Sequence, residues 1–82
     1  MNDSEKIHRG NRARELLDDE LLREAFAAIE GDAQDQLLAA GPLDDALRRA
    51  MADRINAIRN VKAALQSVLI TGKTAALRNA QA

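Results

Sequence analysis

The chain has 82 residues, no cysteine, a single aromatic residue, Phe26, and a formal net charge of −1. A chain of this length forms at most one domain, near the size at which a single core is only marginally stable without metals, disulfides or oligomerisation. The lack of cysteine excludes disulfides, thiolate metal sites and cysteine nucleophiles. The lack of Trp and Tyr removes the side chains that dominate most binding hot spots and base-stacking surfaces.

The first ten residues contain no apolar segment of the kind that a secretory signal needs. No apolar run approaches the roughly 18 residues of a membrane span. We therefore expect neither export nor membrane insertion.

Charge is distributed unevenly along the chain. Residues 1–42 hold five Lys/Arg and ten Asp/Glu, which gives −5, whereas residues 43–82 hold seven and three, which gives +4. No acidic residue follows Asp53. This pattern favours an acidic first half folded against a basic second half, and the alternative is an electrostatic footprint for nucleic acid or for an acidic protein.

The N-terminal residues 1–10 are predicted to form a mobile arm, because Gly10 and Asn11 interrupt any helix that starts before them. A short helix is predicted over Arg12–Leu17, where the apolar residues fall on one side. One or two helical turns are too short to be stable without tertiary contacts.

A second helix is predicted from Asp18, as the N-cap, to about Ala39. Within it, Gly31 indicates a kink or a close helix crossing, and the alternative is that the helix ends there. The sequence Gly41-Pro42 marks the hairpin turn, with Gly41 in the left-handed C′ position.

The third helix is the strongest feature of the sequence. It begins at Pro42 or Asp44 and ends near Thr71-Gly72, because Gly72 suits a left-handed C′ residue. Being longer than the second helix, it extends past that helix beyond about Val61, and Arg12–Leu17 can cover part of this extension. Residues 73–82 are predicted to form a weakly ordered tail. The predicted fold is all-α, an antiparallel helical hairpin over residues 11–72 with a short additional N-terminal helix, assembled into a larger helical bundle.

The sequence motifs that could indicate catalysis or ligand binding lack the neighbouring residues and elements that they require. The segment Thr71-Gly72-Lys73-Thr74 matches the end of a phosphate-binding P-loop, but Ser67 stands where that loop requires glycine and a helix replaces the preceding strand. His8 is the only histidine, so no second imidazole or thiol completes a metal site. The acidic clusters at residues 18–20 and 44–45 are better explained as helix caps. We therefore predict no catalytic residues, no metal, no cofactor and no enzyme.

The order of apolar and polar residues resembles that of a group of short helical proteins encoded by tailed phages and prophages. The resemblance covers roughly Asn11 to Ala75, and the positions that carry it are Asn11, Ala13, Leu16, Leu17, Glu24–Glu30, Ile58, Val61, Lys62, Leu65, Ser67, Val68, Thr71, Gly72 and Lys73. One departure is Gln36, where a bulky residue is commoner. The resemblance implies a phage setting, in virion assembly or genome packaging, in the cytoplasm of a bacterial host or in the virion. It implies no functional residues.

Two functional classes fit this sequence, and a third cannot be ranked against them. The preferred one is a non-enzymatic assembly or adaptor protein that forms a homo-oligomer and contacts another protein, such as a phage structural or packaging component. The apolar stripe would supply its core and interface: Phe26, Leu47, Met51, Ile55, Ile58, Val61, Leu65, Val68 and Leu69. The alternative is a nucleic-acid-binding packaging or regulatory accessory that uses a basic face of Arg48, Arg59, Lys62 and Lys73. The third is an inhibitor of a host protein.

Overall fold

The computed structural model describes residues 1–81, and within that range the protein consists of three α-helices and no strand. These are α1 (Asp3–Asp18), α2 (Glu20–Ala39) and α3 (Asp45–Gln81). The predicted all-α class is therefore confirmed. The chain divides into two compact units: unit 1 combines residues 1–19 with the part of α3 that follows Val61, and unit 2 is Glu20–Val61.

Helix α1 begins at Asp3, where the Asn2 side chain accepts a hydrogen bond of 2.8 Å from the backbone N–H of Glu5. It continues through Gly10 and Asn11 to Asp18. The prediction that these two residues interrupt a helix is therefore wrong. Gly10 is buried, so tertiary contacts outweigh the roughly 1 kcal/mol by which glycine disfavours a helix.

Unit 1 is organised around a close approach of two helix backbones at Gly10 of α1 and Gly72 of α3. A Cβ atom on Gly10 would lie 2.9 Å from the Cα atom of Gly72, and one on Gly72 would lie 2.8 Å from the Cα atom of Gly10. Only glycine at both positions permits this distance, because carbon atoms normally pack at about 3.5–4.0 Å. Ala13 and Ala75, one turn further along each helix, are also buried. The interior of unit 1 is therefore built from backbone and small side chains.

Because Gly72 lies inside this crossing, it does not end the third helix. The prediction of a helix end at Thr71-Gly72 is wrong, since α3 continues to Gln81. No glycine in residues 1–81 has a positive φ, so neither Gly41 nor Gly72 is a left-handed C′ residue. Of the predicted tail, residues 73–81 are helical, and Ala82 lies outside the described residues.

Unit 2 packs α2 against the first part of α3. Its core contains Ala33, Met51 and Ile55, with Leu37 and Leu47 packed against it. Two ion pairs show the order of the contacts: Glu30 pairs with Arg59 at 3.2 Å and Asp32 with Arg54 at 3.9 Å. As the residue number rises along α2, the residue number of its ion-pair partner in α3 falls. The boundary between the two units falls after Val61 in α3. The sequence predicts that α3 extends past α2 beyond about the same residue.

The ends of α2 are only partly as predicted. Asp18 is the last residue of α1 and not the N-cap of α2, because Asp19 alone separates the two helices. Gly31 neither ends α2 nor makes a close crossing, since a Cβ atom there would meet nothing within 4 Å. The predicted end at Ala39 is confirmed. At the start of α3, the Asp44 side chain accepts a 3.2 Å hydrogen bond from the backbone N–H of Leu47, which makes Asp44 the N-cap.

Candidate functional site

The described chain buries few apolar side chains and leaves many exposed. Within residues 1–81 no large side chain is fully buried, and the buried apolar residues are Ala13, Ala33, Met51, Ile55, Ile58 and Ala75. Larger apolar side chains remain exposed in both units: Met1, Leu16, Leu21, Ile29, Leu38, Leu43, Val61, Ile70 and Leu77. Burial of these side chains would contribute roughly 25 cal/mol of stabilising free energy per Å² of apolar surface removed from water.

The most exposed of these side chains lie close to the loop of residues 40–44, which joins α2 to α3. Leu43 is 97% exposed and Leu38 is 84% exposed. Leu43 occupies the loop itself, between Pro42 and the N-cap Asp44, and Leu38 precedes the end of α2 by one residue. We call this pair of leucines the apolar tip of unit 2.

The loop that carries the tip is held by Arg48. The guanidinium group of Arg48 donates to the carbonyl oxygen of Gly41 and, at 2.9 Å, to that of Pro42, and it also pairs with Asp45. The backbone N–H of Asp44 donates to the carbonyl oxygen of Gly41 at 3.0 Å. These bonds satisfy loop carbonyls and restrict the backbone on both sides of Leu43. The Leu43 side chain therefore lies exposed to solvent on a constrained loop.

The four residues of the predicted basic face have different surroundings. Arg48 is committed to the loop, and Arg59 pairs with Glu30, whose side chain is 17% exposed. Lys62 is half-buried and takes part in an interaction within the protein. Lys73 is exposed and lines a small cleft of unit 1, of about 60 Å³, beside Gly10 and Gly72. Arg48 and Arg59 belong to unit 2, and Lys62 and Lys73 belong to unit 1.

The predicted core and interface residues divide by burial. Met51, Ile55 and Ile58 are buried, whereas Val61 is exposed. The others are half-buried: Phe26, Leu47, Leu65, Val68 and Leu69. Of the stripe, Met51, Ile55 and Ile58 are therefore the buried residues of unit 2, whereas Leu65, Val68 and Leu69 belong to unit 1.

Charge complementarity between the two halves of the chain is visible as ion pairs. Besides Glu30–Arg59 and Asp32–Arg54, Asp3 accepts a 3.1 Å hydrogen bond from Arg78 in unit 1. In each pair an acid of residues 1–42 meets a base of residues 43–82. Exposed pairs of this kind contribute only about 0–1 kcal/mol each. Their main consequence is that three of the cations that follow Asp53 already have carboxylate partners.

Several features of the structure have no clear signal in the sequence. The exposed position of Leu43 was not predicted, because a helix that begins at Pro42 would include this residue and one that begins at Asp44 would not. The helical state of residues 3–10 was missed because Gly10 and Asn11 suggested a break in the chain there. The Gly10–Gly72 contact was missed because nothing local in the sequence indicates which glycines face one another.

Within residues 1–81 no three His, Cys, Asp or Glu side chains lie close enough together to hold a metal ion. None of the helices described here combines the length and apolar character that crossing a membrane requires.

Comparisons of the chain with protein-family models, with curated proteins and with solved structures find no match.

Proposed function

We propose that this protein is a non-enzymatic assembly or adaptor module, which associates with further copies of itself and acts through protein–protein contacts. The observation that supports the proposal is the disproportion between a small core and a large number of exposed apolar side chains. A domain of this size is marginally stable when its core is incomplete. Association removes the remaining apolar surface from water and so stabilises the fold and the assembly together.

The apolar tip, Leu38 and Leu43, is the part of the surface that we assign to the contact. Its loop is constrained by Arg48 and Asp44, so little conformational entropy is lost when the leucines enter a partner's surface. In this proposal α2 and the first part of α3 form a helical hairpin, and several hairpins combine into a larger helical bundle. The resemblance to tailed-phage proteins is the sole support for a setting in virion assembly or packaging.

The alternative of a nucleic-acid accessory has less support. Arg54, Arg59 and Arg78 are paired with carboxylates, and Arg48 is bonded to the loop. Binding to phosphates would have to break these pairs, and the described chain offers no second aromatic side chain for base stacking. Inhibition of a host protein would use the same apolar tip and is a special case of the same proposal.

The proposal is tested by sedimentation velocity and light scattering across the micromolar concentration range. We expect the wild-type protein to form a dimer or a larger assembly. Replacing Leu38→Gln together with Leu43→Gln should weaken self-association by about tenfold or more, because burial of one leucine contributes roughly 1.5–3 kcal/mol. The matched control is Ala28→Gln with Ala50→Gln, which places two glutamines at exposed positions of α2 and α3, away from the loop that joins them.

Circular dichroism of each variant shows whether its helices are intact. A wild-type protein that remains monomeric throughout this range contradicts the proposal. An assembly that persists unchanged in the leucine variant would instead refute the assignment of the apolar tip as the contact.

A further inference from the structure

Unit 1 contains a concave site that combines two cationic side chains with two hydroxyl groups. It has a volume of about 150 Å³ and lies between α1 and the last part of α3. Lys6 and Arg9 line it from α1, and Ser67 and Thr71 line it from α3. Met1 and Val68 complete the lining among the described residues, and no carboxylate takes part. We call this the unit 1 pocket.

Helical spacing and the glycine crossing together place these four side chains around one space. Lys6 and Arg9 are three residues apart and Ser67 and Thr71 are four apart, so each pair lies on one face of its helix. Gly10 and Gly72 bring the two backbones into contact immediately beside these pairs. The long stems of the two α1 cations can therefore reach the hydroxyl groups of α3.

The two hydroxyl groups that line the pocket differ from that of a neighbouring threonine in their hydrogen bonding. The neighbouring Thr74 uses its hydroxyl to donate to the carbonyl oxygen of Ile70 at 3.0 Å, which is the common local bond of a helical threonine. Within residues 1–81, neither Ser67 nor Thr71 makes a side-chain hydrogen bond of this or any other kind. Both hydroxyls are thus available as donors.

The two cations of the pocket are also weakly engaged. In the described chain Arg9 forms no ion pair, although Glu5 lies one turn before it. The ammonium group of Lys6 is 4.0 Å from the Asp3 carboxylate, beyond hydrogen-bond distance, and that carboxylate is closer to Arg78, at 3.1 Å. The described residues that line the pocket thus include two cationic side chains and no carboxylate, and the nearest carboxylate to the Lys6 ammonium group is that of Asp3, outside the lining.

We propose that the unit 1 pocket binds a phosphate group, either as inorganic phosphate or as the terminal group of a small phosphomonoester. A tetrahedral dianion accepts hydrogen bonds from several directions, and the pocket supplies two charged and two neutral donors. Its volume of about 150 Å³ is well above the roughly 10–15 Å³ of cavity volume that one water molecule needs, so an anion larger than water can enter. This site is independent of the apolar tip, which belongs to unit 2.

A titration followed by two-dimensional ¹H–¹⁵N NMR tests the proposal directly. Inorganic phosphate and phenyl phosphate are added at constant ionic strength, with chloride as the balancing anion. We expect saturable shifts of the amide signals of Ser67 and Thr71. Replacing Ser67→Ala together with Thr71→Val should weaken binding by about tenfold without changing the net charge, because donors to a charged group are lost. The matched control is Thr74→Val, whose hydroxyl is already used within the helix and which should bind phosphate as the wild type does.

A second pair of variants tests the charges. Lys6→Gln with Arg9→Gln should abolish saturable binding, whereas Arg12→Gln with Arg23→Gln removes the same charge outside the pocket and should leave it intact. If the first of these variants fails to fold, the hydroxyl variants still decide the question.

Two results would overturn the proposal. One is the absence of saturable shifts, or shifts that are equal in the wild type and in the Ser67/Thr71 variant. The other is tighter binding of a single-stranded oligonucleotide than of phenyl phosphate, independent of the two hydroxyls, which would indicate general attraction to a nucleic-acid backbone.

Discussion

Replacing glycine by alanine should have opposite effects in different helices of this protein. Gly31, Gly10 and Gly72 all lie inside helices and none has a positive φ. A Cβ atom on Gly31 would meet nothing within 4 Å, whereas one on Gly10 or Gly72 would collide with the backbone of the facing helix. The same chemical change therefore separates intrinsic helix propensity from packing.

The expected magnitudes follow from these distances. Alanine is favoured over glycine in a helix by about 1 kcal/mol, so Gly31→Ala should stabilise the protein by about 0.5–1 kcal/mol. Gly10→Ala has the same intrinsic gain but places a carbon atom 2.9 Å from the Cα atom of Gly72, which has no side chain that could rotate away. Overpacking typically costs about 1–3 kcal/mol. A rigid backbone neighbour places this site near the upper end, so we expect net destabilisation by about 1–2 kcal/mol. Gly72→Ala should destabilise more, since its Cβ atom also lies 2.8 Å from the carbonyl oxygen of Lys6.

Urea and thermal unfolding followed by circular dichroism measure these differences, at one protein concentration because association shifts apparent stability. For a domain of this size, 1 kcal/mol corresponds to a shift of about 4–8 °C in the melting temperature. The two groups of variants should therefore separate clearly, with Gly31→Ala above the wild type. Equal stabilisation by Gly10→Ala and Gly31→Ala would refute the close helix crossing.

Two further substitutions test unit 2. Ile55→Ala should destabilise the protein by about 2–5 kcal/mol, because Ile55 is buried in the core with Ala33 and Met51, and a denaturation midpoint close to that of the wild type would show that this core contributes little. Asp44→Ala should lower the free energy of unfolding by about 1 kcal/mol, because the N-cap hydrogen bond to Leu47 is lost. The control is Asp53→Ala, which removes an equal charge within the helix. Identical unfolding curves for the two variants would contradict the capping role.

Local signals in the sequence determined much of unit 2. Residues that repeat with the helical period, such as Met51, Ile55 and Ile58, are buried as expected, because burial of one face of a helix follows its apolar stripe. The end of α2 at Ala39 and the cap at Asp44 also follow from short-range chemistry. These features depend on residues within one or two turns of each other, so the sequence alone contains their cause.

Only the tertiary structure decided the extent of α1 and the last part of α3. Local propensity places a break at Gly10 and an end at Gly72, yet both residues lie inside helices because each is the surface on which the other packs. The exposure of Leu43 and the grouping of Lys6 and Arg9 with Ser67 and Thr71 likewise depend on residues far apart in the chain. The local conformational preference of a glycine is the same whether it lies at a helix end and faces solvent or lies inside a helix and packs against another glycine. The energy of that contact appears only when two distant segments are brought together.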